Sequence, residues 1–252
     1  GNPGPEGEEN MTSLNPTKNT VNFQSSFSLN NTYFNKFNLQ GAISEYNHSE
    51  RTGDGNNHNI NFFSDLYEIK TSLNHNSIID VNSEGLIGFH FQNYDQGALG
   101  QEESHLVHTR TSSFALFALE SFNFDLFDLD VGGRLESVNL RNTSMEKGFF
   151  PGAFSSTIKR EILTNNNLFG GFDFTQRAPN AVELFANGPH HAQEQFEVGN
   201  SNMDVETSYN FSIGYSYNDG LDTLKIETYY NYIDGFIAAD RDGNTTEVEG
   251  ED

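Results

Sequence analysis

Apolar and small polar residues alternate one by one along about ten stretches of this chain, and a period of two limits each stretch to a β-strand with two unlike faces. Tyr209, Phe211, Ile213, Tyr215 and Tyr217 are set against Asn210, Ser212, Gly214 and Ser216. Val21, Phe23, Phe27 and Leu29 alternate with Asn22, Gln24, Ser26 and Ser28, and Phe37, Leu39, Gly41 and Ile43 with Asn38, Gln40, Ala42 and Ser44. Phe63, Tyr67, Ile69 and Leu73 share one face, as do Ile87, Phe89 and Phe91. Strands are expected near residues 20–30, 36–50, 59–74, 83–94, 111–121, 127–140, 153–163, 167–176, 206–217 and 222–234. Turns such as Asn218-Asp219-Gly220 join some pairs and longer polar loops join others, which is the layout of an antiparallel meander. The fold class is all-β.

The polar face carries Asn, Ser, Gln and Gly rather than Lys and Glu, as the lumen of a membrane barrel does, with the aromatic face toward lipid. Strands of ten or more residues favour the same reading, since soluble strands run to about 5–6. The pattern by itself fits a transmembrane β-barrel and a soluble β-sandwich or solenoid equally. No stretch approaches about 18 consecutive apolar residues, so a transmembrane helix is excluded while a barrel is not. The formal net charge of −23 makes nucleic acid an unsuitable partner and cations suitable ones. With no cysteine there is no disulfide framework, thiolate nucleophile or cysteine zinc site. No Gly-x-Ser-x-Gly or comparable nucleophile motif occurs, and no enzyme is expected. Residues 1–19 read as a leading loop without the basic and apolar regions of a secretion signal, 20–235 as the β-region, and 236–252 as an acidic loop or tail. Both ends read as cuts from a longer chain.

The stretch from Gln176 to Thr207 adds motifs to the pattern. Arg177-Ala178-Pro179, Glu183-Leu184-Phe185 and Gly199-Asn200 through Met203 to Glu206-Thr207 follow one another in the order found in TonB-dependent outer-membrane receptors, which this segment resembles. The insert Ala186-Asn187-Gly188-Pro189-His190-His191-Ala192, followed by Phe196-Glu197-Val198-Gly199, resembles the zinc-uptake (ZnuD-like) branch. Tyr46-Asn47-His48-Ser49-Glu50 resembles the Tyr-x-His-x-Glu strand end of that branch. Ala98 to Glu102, Ala115 to Glu120 and Gly133 to Glu136 resemble its central strands. The chain departs from it at Ser104-His105-Leu106-Val107-His108, where an aromatic-proline stretch is usual.

The resemblance implies part of a barrel of about 22 strands in the outer membrane of a Gram-negative bacterium. A plug domain lying outside this sequence would couple it to the energy-transducing TonB complex. It implies zinc as the transported ligand, a divalent metal ion and outer-membrane lipid as partners, and Glu50 as a metal ligand. Period two sets His48 and Glu50 on one face, where both can reach an ion. Adjacent residues His190 and His191 point to opposite sides of an extended segment, so one of them faces the ion, and His190 matches the family histidine. His105 and His108, beside Glu102 and Glu103, read as a solvated loop or an outer collecting site. His58, His75 and His90 have no partner by spacing. Two rivals stand beside zinc uptake: haem uptake with His190 or His191 as axial ligand, and a soluble acidic β-rich binding or adhesion module.

Overall fold

The computed structural model describes residues 13–51, 59–77, 82–100, 105–190 and 195–240. Ten long strands follow one another as an antiparallel meander: β1 (Ser13–Ser28), β2 (Phe34–Arg51), β3 (Asn59–Asn76), β4 (Ser83–Gly100), β5 (Thr109–Asn123), β6 (Asp128–Arg141), β8 (Gly152–Leu163), β9 (Asn166–Arg177), β12 (Glu206–Asn218) and β13 (Thr223–Asp234). A short β7 (Glu146–Phe149) also pairs with β6, and β10 (Asn187–His190) with β11 (Gln195–Val198) forms a separate ribbon. The helical turn α1 (Ala181–Phe185) precedes that ribbon. The expected strands are all present. β1 reaches back to Ser13, into the segment read as leading loop, and sets Pro16 opposite His48 of β2.

The register keeps the two faces distinct across the whole sheet. One continuous row runs Gln40, Lys70, His90, Ala115 and Glu136 from β2 to β6. The neighbouring row on the opposite face runs Leu39, Thr71, Phe89, Leu116 and Leu135. The sheet curls toward the polar face, where a hollow of about 550 Å³ is lined by Lys70, Arg134, Asp173, Ser208 and Asn210. On the outer face Leu116 is 56% exposed and Ile213 62%, an apolar surface too continuous for water. Aromatic rings tie it across strands: Phe172 meets Phe211 at 4.9 Å, Phe174 meets Tyr209 at 5.5 Å, and Tyr209 meets Tyr232 at 6.3 Å. β12 has 13 residues, a rise of about 41 Å along the strand, enough to cross an apolar band about 25 Å tall at a tilt of about 35–45°.

The two ends of the strands differ. Connections 29–33, 77–82, 124–127, 164–165 and 219–222 are short, whereas 52–58, 101–108, 142–151 and 178–205 at the opposite end are longer. That asymmetry matches a barrel with tight turns on the periplasmic side and extended loops outside. In the 219–222 turn Gly220 takes φ of 91°, a left-handed conformation that suits glycine. Asp219 binds the turn amides, and the N–H of Asp222, the Tyr217 hydroxyl and the N–H of Leu221 hold its carboxyl below the usual range. Among the described residues no helix is long and apolar enough to cross a membrane.

Candidate functional site

At the long-loop end, the segment between β9 and β12 folds back over the mouth of the curled sheet. Asn180 caps α1 by accepting from the N–H of Glu183 at 2.9 Å, while Glu183 Oε2 accepts from the N–H of Asn180 at 2.7 Å. Arg177 then clamps the segment: its Nη1 donates to both Glu183 oxygens at 3.1 and 2.9 Å, and its other nitrogens reach Glu206 at 3.4–3.5 Å. Ala181, Leu184 and Phe185 pack on Leu140 and Phe149, the most buried apolar cluster of the described residues. Gly199 closes the loop, donating its N–H to Ala186 O at 2.7 Å, and the N–H of Asn200 donates to Glu183 O at 2.8 Å. The Arg-Ala-Pro, Glu-Leu-Phe and Gly-Asn pieces thus form one fastening between two barrel strands.

This fastening sets the position of the ribbon that carries His190. Pro189 O accepts from the N–H of His105 at 3.2 Å, and His105 O accepts from the N–H of Asn187 at 3.4 Å. His105 meets Phe62 at 6.4 Å between ring centroids, and His48 stacks on the same Phe62 at 4.6 Å with the planes 7° apart. Tyr46 lies 5.5 Å from His48, its ring tilted 48° to the imidazole. The register aligns His48 with Phe62 and Ala98, and aligns Glu50 with Ile60 and Gly100, one step further toward the loops. The strand end bearing His48 and Glu50 and the ribbon bearing His190 therefore meet at one mouth. His191 lies outside the described residues, as do His58, Glu102 and Glu103.

His108 goes elsewhere. Its Nε2 lies 2.7 Å from Asp95 Oδ1, and its ring meets Phe63 edge-on at 5.3 Å. Phe62 and Phe63 sit on opposite faces of β3, so His105 and His108 are divided between the mouth and the outer wall. Asp95 also takes a two-pronged contact from Arg110, at 2.8 and 3.2 Å. Among the described residues no group of three or more His, Asp or Glu side chains is arranged to hold a metal ion.

The family model for the TonB-dependent receptor-like β-barrel matches residues 1–250. The chain belongs to the TonB-dependent receptor β-barrel family. Its fold is similar to the Serratia marcescens hemophore receptor HasR, solved with its hemophore HasA and heme, at a TM-score of 0.76 and 12% identity over 91% of this chain and 41% of that one. It is also similar to the copper transporter OprC, at 0.67 and 13% over 86% and 38%. The ferric-catecholate import receptor Fiu of E. coli K12 matches at 0.66 and 12% over 92% and 43%. The chain thus spans about two-fifths of the length of these receptors. Members of the family are receptors and transporters of the Gram-negative outer membrane, not enzymes.

Within this TonB-dependent receptor barrel, two histidines without a partner by spacing have one in the sheet. His90 Nε2 lies 2.8 Å from Glu68 Oε1, and its Nδ1 lies 3.2 Å from Arg134 Nη2. Arg134 also holds Glu136 at 3.0 Å. Buried His75 sets Nε2 2.8 Å from Glu120 Oε1 and Nδ1 3.0 Å from Asn76 O near the short-turn end. Strand register makes both pairs, joining residues 22 and 45 positions apart, and no local spacing signals them.

Proposed function

We propose that this chain is the barrel wall of an outer-membrane receptor for energy-coupled uptake of zinc. Glu50, His48 and a histidine of the His190-His191 pair hold the ion at the loop-end mouth. The observation that carries the reading is the chain of contacts from His48 through Phe62 to His105 and by backbone hydrogen bonds to Pro189, next to His190. Imidazole nitrogen and carboxylate oxygen suit zinc. Stacking uses the ring face of His48, whereas ligation uses a lone pair in the ring plane, so one histidine can serve both. A chain charge of −23 raises the local concentration of divalent cations. Movement of a plug, driven by the TonB complex, then opens the way inward. Haem is the alternative cargo, with His190 or His191 as axial ligand and the aromatic flank of Tyr46 and Phe62 beside it.

The test is calorimetric titration of zinc into the detergent-solubilised full-length receptor, beside a Glu50→Ala, His190→Ala double variant. Affinity should fall by more than the roughly 10–100-fold that follows removal of a group merely orienting a ligand. Unchanged affinity removes both residues from the site. A Soret shift with haemin and no zinc binding replaces zinc by haem.

A further inference from the structure

β12 begins at Glu206, and that side chain joins two pieces of chain that the strand ladder does not. The N–H of Ile237 donates to Glu206 Oε2 at 2.8 Å, while Arg177 Nε and Nη2 reach the two carboxylate oxygens at 3.5 and 3.4 Å. Ladder pairing between β12 and β13 ends at Thr207 and Asp234. Beyond it the chain turns at Gly235, whose φ of 65° is left-handed. The turn brings it back beside Val205, whose carbonyl oxygen lies 3.6 Å from where a β-carbon on Gly235 would sit. Ile237 is thereby half-buried, while Phe236 stays 67% exposed. Among the described residues no other hydrogen bond holds 236–240. Glu206 for its part is only 15% exposed. Water has little room to replace either donor, and a carboxylate short of partners in such a place is costly.

We propose that Glu206 is the joint of a two-loop strap, coupling residues 235–240 to the fastening between β9 and β12 so that both loosen or close over the mouth together. Arg177 is the link. It grips Glu183 at 2.9 and 3.1 Å and Glu206 more loosely, so the guanidinium stays with α1 and serves Glu206 by orienting its carboxylate. Oriented that way, Oε2 faces the Ile237 N–H. When the fastening undocks, Arg177 follows Glu183, Glu206 turns to water and Ile237 loses its acceptor. In the other direction, lifting Ile237 removes the donor that fixes Oε2 and leaves Arg177 a carboxylate free to swing. Each contact improves the other, which is a coupling free energy between two loops, carried by a charged hydrogen-bonded group. The ribbon bearing His190 hangs from the same fastening, so a cargo held by the ribbon acts on residues 235–240 without touching them. The strap follows from these contacts and holds for whichever cargo the mouth takes.

Amide hydrogen exchange of the full-length receptor in detergent, read on peptides covering 199–203 and 235–240, tests the coupling. Glu206→Ala should speed exchange at Ile237 by about tenfold or more, as loss of a hydrogen bond to a charged acceptor does. It should also speed Gly199 and Asn200 by about fivefold or more, the low end of couplings between sites. Their N–H groups donate to Ala186 O and Glu183 O and not to Glu206. Arg177→Ala should speed Ile237 in turn, although no hydrogen bond joins the two. Amides of β5 and β6 report that the barrel is intact and should not change. Glu206→Ala that frees Ile237 alone, or Arg177→Ala that leaves Ile237 as it was, overturns the coupling. If Glu206→Ala does not fold, Gly235→Ala strains the left-handed turn and loosens the same segment with Glu206 in place. Faster exchange at Asn200 in that variant supports the strap, and unchanged exchange there overturns it.

Discussion

Leu116→Arg is expected to destabilise the membrane-embedded barrel by about 2–4 kcal/mol, the cost of arginine on a lipid-facing strand near the bilayer midplane. Leu116 lies mid-strand in β5 with Phe89 and Leu135 directly across, and it is 56% exposed to whatever surrounds the outer face. The matched substitution is Asn210→Arg, which puts the same charge over the lumen hollow beside Asp173. It should cost less than about 1 kcal/mol, because the guanidinium stays among water and polar groups. Both are read by urea unfolding of the full-length receptor in phospholipid vesicles, following the gel mobility of the folded barrel. The contrast between faces is the informative quantity. If the outer face met water, as in a soluble acidic β-module, a charge at a half-exposed leucine would be close to neutral and the two variants would behave alike.

The strands were legible because each has two different solvents to satisfy. Alternation such as Tyr209 to Tyr217 against Asn210 to Ser216 survives in the sequence as a local pattern, and the strand limits follow it to within two residues, except at the far end of β4, which runs six residues past the expected limit to Gly100, and at β1. There, Ser13 to Asn19 carry no alternation and are held by their partner, β2, instead. The environment of the outer face was ambiguous for a related reason. Period two records that the faces differ, and lipid against water differs from core against water only in which side is small and neutral. The fastening over the mouth was legible as motifs but not as mechanics, since Arg177 reaches Glu183 and Glu206 only after two strands and a helical turn come together. His90 and His75 were unreadable for the same reason. Their partners are set by cross-strand register, which no spacing within one strand encodes.

Gly199→Ala should undo the fastening while leaving the sheet intact. A β-carbon at residue 199 would lie 2.6 Å from Phe185 N, 2.7 Å from Leu184 C and 2.8 Å from Ala186 N. All three are backbone atoms of α1 and its end, pinned by the Asn180–Glu183 cap and the buried side chains of Leu184 and Phe185, so no side-chain rotation relieves the contact. Forcing a carbon into such packing costs about 1–3 kcal/mol. The hydrogen bonds to Ala186 O and Glu183 O that it displaces add about 1 kcal/mol each. Local undocking is easier than that sum, because the described residues between β9 and β12 are held by a few separate contacts, the Arg177 clamp, the Leu140–Phe149 cluster and the hydrogen bonds to His105. The expected result is faster amide exchange at residues 199 and 200, with the amides of β5 and β6 unchanged. Arg177→Ala should give a milder version of the same pattern, since its contacts are partly exposed to water. Because the 187–190 ribbon is tethered to His105 on one side and to Gly199 on the other, the variant should also weaken zinc at the mouth several-fold without altering a ligand. Faster exchange with unchanged zinc affinity would mean that the ribbon does not hold the ion, and the mouth site would then have to be built from β2 and the His105 loop.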